Sequence, residues 1–249
     1  MKPCTFFGLS DVGVCRENNE DVWIACPDVG FFAIADGMGG HQAGEIAAKE
    51  AVEHLLGSVK KIKGDRPLHW IVQLRYAIEK ANQWVYRLGK KDGALTGMGT
   101  TLSCLVWSEN AVIYAHVGDS RIYRQREGKL ELLTRDHSLF AKWLQFGKES
   151  RTPFPYKNVI TRAVGTAHAA NPEIAICSHK PGDLFILCTD GLTDVLSLEE
   201  LEEVINGAPD LESASKMLIH QAKIKGSSDN ITILMVQSDR DNVENLSRQ

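Results

Sequence analysis

Gly30-Phe31-Phe32-Ala33-Ile34-Ala35-Asp36-Gly37 is the stretch on which the fold turns. Five apolar residues run together and end on Asp-Gly. A run this short and this apolar predicts a buried strand that closes in a turn. The same signature returns along the chain. Leu184 to Cys188 leads through Thr189 into Asp190-Gly191, and Ala111 to Val117 leads into Gly118-Asp119. Asp229 stands just ahead of the run Ile231 to Val236, and Thr101 to Trp107 is a fifth apolar run. Between these runs lie helical patterns from Gly44 to Leu56, Leu68 to Leu88, Leu198 to Ile205 and Leu211 to Lys223. In the second, Ile71, Leu74, Ile78, Ala81, Val85 and Leu88 share one face. Strand runs interrupted by helical pairs predict an α+β layered fold.

The 249 residues, 43% of them hydrophobic, suffice for one large core, and one domain over residues 1–240 with a polar tail at 241–249 is expected. Ser138 to Val159, with Gly147, Pro153 and Pro155, reads as an irregular, mobile surface segment. No apolar run approaches the roughly 20 residues of a membrane span, and the N-terminus has no signal-peptide pattern, so a cytoplasmic protein away from membranes is expected. Net charge is −4 with no basic block, which gives no reason to invoke nucleic acid. The cysteines, Cys4, Cys15, Cys26, Cys104, Cys177 and Cys188, lack CxxC spacing and suit reduced thiols rather than a zinc site or a disulfide framework.

A single Asp-Gly after a strand is an ordinary turn signal. Four acids at strand ends are harder to dismiss, because strand ends on one edge of a sheet converge. Carboxylates crowded there repel unless a cation neutralises them. Oxygen ligands without His or Cys favour magnesium, manganese or calcium over zinc. A second cluster, Asp11 to Asp21, holds Arg16 with Glu20 and Asp21 close behind it. The planar fork of Arg16 suits bidentate contact with phosphate oxygens. Acids plus one arginine are the kit expected for phosphoryl transfer to water.

Seven blocks taken in order resemble one family. They are Asp11-x-Gly13-x-x-Arg16-x-x-Asn19-Glu20-Asp21, Ala35-Asp36-Gly37-Met38-Gly39-Gly40-His41, Gly97-Met98-Gly99-Thr100-Thr101, Val117-Gly118-Asp119-Ser120-Arg121-x-Tyr123, Leu133-Thr134-x-Asp136-His137-Ser138, Cys188-Thr189-Asp190-Gly191-Leu192 and Asp229-Asn230-Ile231-Thr232. Together they resemble the bacterial branch of the metal-dependent type 2C protein Ser/Thr phosphatases.

The resemblance implies a four-layer α-β-β-α sandwich, two packed antiparallel sheets flanked by helices. It implies two Mn²⁺ or Mg²⁺ ions in a core site and a weaker third. Asp36 would bridge two ions, the Gly37 carbonyl would bind one, and Asp190 and Asp229 would complete the first ion's shell. Glu20 and Asp21 would serve the second, with the direct ligand of the two left open. Asp119 with Asp190 matches the third site, Arg16 the phosphate-binding arginine, and the segment from Ser138 to about Val159 the flap. Animal members carry a histidine directly after Asp-Gly as candidate general acid. Met38 stands there in this chain, and His41 three residues later is a candidate proton donor, substrate contact or helix cap.

The expected reaction is a single in-line displacement of phosphate from phosphoserine or phosphothreonine by a water shared between two metals. The expected partner is a phosphorylated protein, a Ser/Thr kinase or its targets, met by a monomer. No cysteine has arginine six positions on, so the C-x5-R loop of cysteine-dependent phosphatases is absent. Two rivals are a serine hydrolase with Ser120 of Gly118-Asp119-Ser120 as nucleophile, and a phosphatase-like binding module without turnover. His220 has no Asp at a suggestive spacing for the first, and every expected acid is present against the second.

Overall fold

The computed structural model describes residues 4–39, 43–64, 66–108, 111–145, 156 and 158–239. Its strands in chain order are β1 (Cys4–Asp11), β2 (Asp21–Cys26), β3 (Phe31–Met38), β4 (Gly99–Thr100), β5 (Leu102–Trp107), β6 (Val112–Val117), β7 (Arg121–Arg126), β8 (Lys129–Leu132), β9 (Glu173–Cys177), β10 (Leu184–Cys188) and β11 (Ile231–Ser238). Its helices are α1 (Ala43–Val59), α2 (Pro67–Lys91), α3 (Leu139–Gln145), α4 (Asp190–Thr193), α5 (Leu198–Gly207) and α6 (Leu211–Ile224). One antiparallel sheet runs β1-β11-β10-β7-β8 and the other β2-β3-β5-β6-β9, with β4 paired to β3.

The period of two along each central strand explains why these strands are apolar without a break. Phe32 and Ile34 of β3 meet Phe185 and Leu187 of β10 and Leu234 and Val236 of β11 between the sheets. Phe31, Ala33 and Ala35 point the other way, into a core shared with Ala47, Ala51 and Leu55 of α1 and Leu74, Ile78 and Val85 of α2. Ile186 and Cys188 of β10, with Ile231, Ile233 and Met235 of β11, pack under Leu201 and Val204 of α5 and Leu218 and Ala222 of α6. The order of layers is therefore helix, sheet, sheet, helix, as the resemblance implies. Among the described residues no helix is long and apolar enough to cross a membrane.

The segment expected to be irregular from Ser138 differs in part. Ser138 Oγ accepts the Ala141 amide at 3.1 Å and so starts α3, while Ser138 pairs with Ile160 and Leu139 N–H donates to the Val159 carbonyl at 2.8 Å. The segment thus has a helix at its start and a closed base. Residues 146–155 and 157 lie outside the described residues, as does the expected tail at 241–249.

The antiparallel pairing brings the acid-bearing ends together. Asp21 opens β2 opposite Asp36 near the end of β3. Asp190 follows β10, Asp229 precedes its neighbour β11, and Asp119 sits in the turn between β6 and β7. The loop from 12 to 20 is tied to the same end by Asn230. Its Nδ2 donates to the Val12 and Asn18 carbonyls at 2.9 Å each, and its Oδ1 accepts the Glu20 amide at 2.8 Å. Gly13 makes that approach possible, with φ at +78° and room for a Cβ only 2.2 Å from the Asp229 carbonyl oxygen. Gly13→Ala should cost about 1–3 kcal/mol in urea unfolding through a left-handed alanine and a backbone clash. A loss below about 0.5 kcal/mol, the ordinary surface range, would show that the loop does not need this contact.

Candidate metal centre

Asp36 is held by its backbone. Its N–H donates to Thr101 Oγ1 at 2.9 Å, and its carbonyl accepts the Thr101 amide and the Thr100 hydroxyl, each at 2.8 Å. Its carboxylate is therefore free of local hydrogen bonding from these threonines and aims into a cleft of about 400 Å³. Arg16, Glu20, Gly37, Asp119, Asp190 and Asp229 line the same cleft. Asn158 and Ile160 add a wall from the segment after α3.

Asp21 lies behind this lining. It is 7% exposed, and Thr189 Oγ1 donates to its Oδ2 at 2.9 Å. Of the two acids left open by the sequence, Glu20 faces the cleft and Asp21 supports it from the buried side. Asp229 Oδ1 accepts the Asn230 amide at 2.8 Å, and its Oδ2 accepts Arg16 Nη2 at 2.7 Å. Half of the Arg16 side chain stays exposed, which leaves donors of its fork open to the cleft. His41 lies outside the described residues.

The acids raise one another's pKa. Burial is the main cause at each, with neighbouring carboxylates adding to it. Asp21 and Asp119 are pushed up to about 7, Asp190 to about 6, and Asp36 lies well above the ordinary carboxylate range. Asp190 Oδ1 is buried without a hydrogen-bond partner among the described residues. An orphaned buried carboxylate oxygen amid mutually repelling acids fits a cation site, and all-oxygen donors fit Mn²⁺ or Mg²⁺.

Other members of the sequence blocks serve the framework. Asp11 accepts the Gly13 amide at 2.8 Å and Lys223 Nζ at 3.0 Å on each oxygen. Asn19 Nδ2 donates to Ser10 Oγ at 2.8 Å. Ser120 is 1% exposed and shares a 2.7 Å hydrogen bond with Thr101 Oγ1, so it is no accessible nucleophile. Thr101, Thr189 and Asn230 are the positioning residues that sequence reasoning passed over. Each stands in a quoted block, yet hydroxyl and amide side chains give no signal of their own in a strand-end turn. A larger groove of about 780 Å³ lies between β1 and the α5–α6 connection, and two of its acids are engaged elsewhere. Asp210 caps α6 by accepting the Ser213 amide at 2.7 Å, and Glu212 pairs with Lys216 at 2.6 Å.

The chain matches the family described as Protein phosphatase 2C over residues 16–223. It is 34% identical over 250 residues to the protein phosphatase PhpP of Streptococcus pneumoniae, covering 95% of this chain and 98% of that one. The Streptococcus agalactiae serine/threonine phosphatase superposes with a TM-score of 0.89 at 32% identity, covering 95% of this chain and all of the other. The catalytic domain of the serine/threonine protein phosphatase PstP, solved in complex with two manganese ions, superposes with a TM-score of 0.84 at 30% identity over 94% of this chain and 98% of that one.

The raised carboxyl pKa values set the sign of a pH effect. Unfolded aspartates titrate near 3.9, so ionising these groups inside the metal-free fold opposes folding as pH rises through about 6 to 7. In EDTA the melting temperature should fall between about pH 5 and pH 8, and the increase on adding Mn²⁺ should be larger at pH 8. An equal Mn²⁺ increase at both pH values would contradict the crowded-carboxylate picture.

Proposed function

The chain belongs to the protein phosphatase 2C family and is a metal-dependent protein-serine/threonine phosphatase, and we propose that the Asp36 cleft is its active site. The observation that carries the assignment is the convergence of Glu20, Asp36, Asp119, Asp190 and Asp229 on one cleft beside Arg16. In this reading Asp36 would be shared by two ions, with the Gly37 carbonyl on one of them. Asp190 and Asp229 would complete one shell, while Glu20 would serve the other with Asp21 behind it. Asp119, together with Asp190, would hold a weaker third ion.

Two Mn²⁺ or Mg²⁺ ions held by these residues would supply Lewis-acid charge and activate a water toward phosphorus. The protein's own part is binding and orientation. Arg16 takes phosphate oxygens with the donors that its contact to Asp229 leaves open. That ion pair also sets the direction of the guanidinium relative to the acids, which would orient a bound phosphate beside them. Ile160 and Asn158 wall the cleft where a bulky phosphoprotein must pass. His41 is the sequence candidate for protonating the leaving alkoxide.

The substrates are phosphorylated proteins in the cytoplasm, a Ser/Thr kinase or its targets, and the chain acts as a monomer. Support comes from the named activities of its relatives, since a protein phosphatase consumes the product of a kinase reaction. Hydrolysis of a phosphothreonine peptide with Mn²⁺ tests the function. Asp36→Asn should lower kcat/KM by about 100-fold or more. Arg16→Ala should mainly weaken phosphate binding, by about 10-fold or more. Ser120→Ala should retain turnover. Full activity in EDTA, or in Asp36→Asn, would contradict the assignment.

A further inference from the structure

Next to the Gly118-Asp119 turn stands a group that the reaction does not use. The imidazoles of His116 and His137 stack with ring centroids 4.4 Å apart and planes 21° from parallel. His116 Nε2 lies 3.6 Å from Glu173 Oε2, and His137 Nε2 lies 3.2 Å from Glu173 Oε1. Arg162 Nη1 donates to the same Oε1 at 3.2 Å. Donor atoms of His116, His137 and Glu173 all fall within 4.8 Å of one another, close enough for a second metal centre.

The position of the protons gives this group another task. His137 Nδ1 accepts the Gly118 amide at 3.2 Å, so the ring proton sits on Nε2 and points to Glu173. A metal-bound histidine has the opposite arrangement, with its free nitrogen protonated and donating outward. Arg162 Nη1 also lies 3.1 Å from Nε2; with Nε2 protonated it donates to Glu173 rather than to the ring, and it would face an ion there as a like charge. Burial lowers the pKa of both imidazoles, that of His116 to about 4, so they stand neutral.

We propose that His137 is a positioning residue for Asp119, fixing the direction from which that carboxylate enters the cleft. It grips the residue before Asp119 from both sides, the Gly118 amide through Nδ1 and the Gly118 carbonyl through its own N–H at 2.8 Å. The grip has work to do because Gly118 is left-handed, with φ at +106°. Glu173 holds the tautomer that keeps Nδ1 an acceptor. The His137 carbonyl accepts the Thr161 amide at 2.6 Å, and the adjacent Ser138 pairs with Ile160, whose residue lines the cleft. One residue thus joins the Asp119 turn, through its ring and its amide, to the base of the segment that walls the site, through its carbonyl. The inference rests on reading Asp119 as a ligand of the weak third ion.

Two amides separate the two ends of the ring. His137→Asn places an acceptor near the Nδ1 position, whereas His137→Gln reaches toward Glu173 and loses the Gly118 contact. Calorimetric titration with Mn²⁺ reads the weak site without turnover. H137N should hold its affinity within about threefold of the parent, and H137Q should lose about tenfold, the scale of one lost hydrogen bond. In an Asp119→Asn background H137Q should cause no further loss. Equal losses in H137N and H137Q, or an H137Q loss undiminished in that background, would overturn the proposal. Should H137Q not fold, H137N decides: parental weak-site affinity supports the proposal, and a tenfold loss overturns it. If Asp119→Asn alone leaves the titration unchanged, the third-ion reading itself falls, which is a separate result from a failure at His137.

Discussion

Carboxylates fixed side by side at one end of a sandwich repel, and that constraint governs this protein. Asp36 is pushed well above the ordinary carboxylate range because burial and Asp21, Asp190, Asp229 and Asp119 all oppose its ionisation. A fold that stores such repulsion needs strong cores elsewhere. It has three apolar layers, one between the sheets and one under each helical pair. β3, β10 and β11, which place Asp36, Asp190 and Asp229, are buried along almost their whole length, so these acids cannot relax apart by moving their backbone. A divalent ion relieves the repulsion without that movement.

Direction matters as much as charge. Asp36 is oriented by Thr100 and Thr101, Asp21 by Thr189, and Asp229 by the Asn230 amide and Arg16. Asn230 deserves the central place among these supports. A single side-chain amide satisfies two carbonyls and one amide of the 12–20 loop, which carries Arg16 and Glu20 to the cleft. Replacing water-exposed loop contacts by buried side-chain bonds gives a loop the precision of a strand.

Much of this was legible in the sequence, and the parts that were not share a physical cause. β3, β5, β6, β10 and β11 are buried on both faces, so their apolar runs stand out within three residues of their observed bounds. β7, Arg-Ile-Tyr-Arg-Gln-Arg, hides a strand behind four polar side chains: Arg121 pairs with Asp136, Arg124 with Glu131 and Arg126 with Asp183. β1 and β9 lie at sheet edges with partly exposed side chains, and their pattern is correspondingly weak. The acids themselves were visible because Asp-Gly after a buried strand repeats. Which of Glu20 and Asp21 faces the cleft was not, since it depends on the strand pairing of Asp21 with Asp36 and on the threonine behind it.

The central claim is that cations replace protons among these carboxylates. Calorimetric titration of the metal-free protein with Mn²⁺, in buffers of differing ionisation enthalpy, counts the protons released per chain. The raised pKa values of Asp21, Asp36, Asp119 and Asp190 require net release at about pH 6 that declines toward zero by about pH 9. Binding at pH 6 with no proton release would contradict the account.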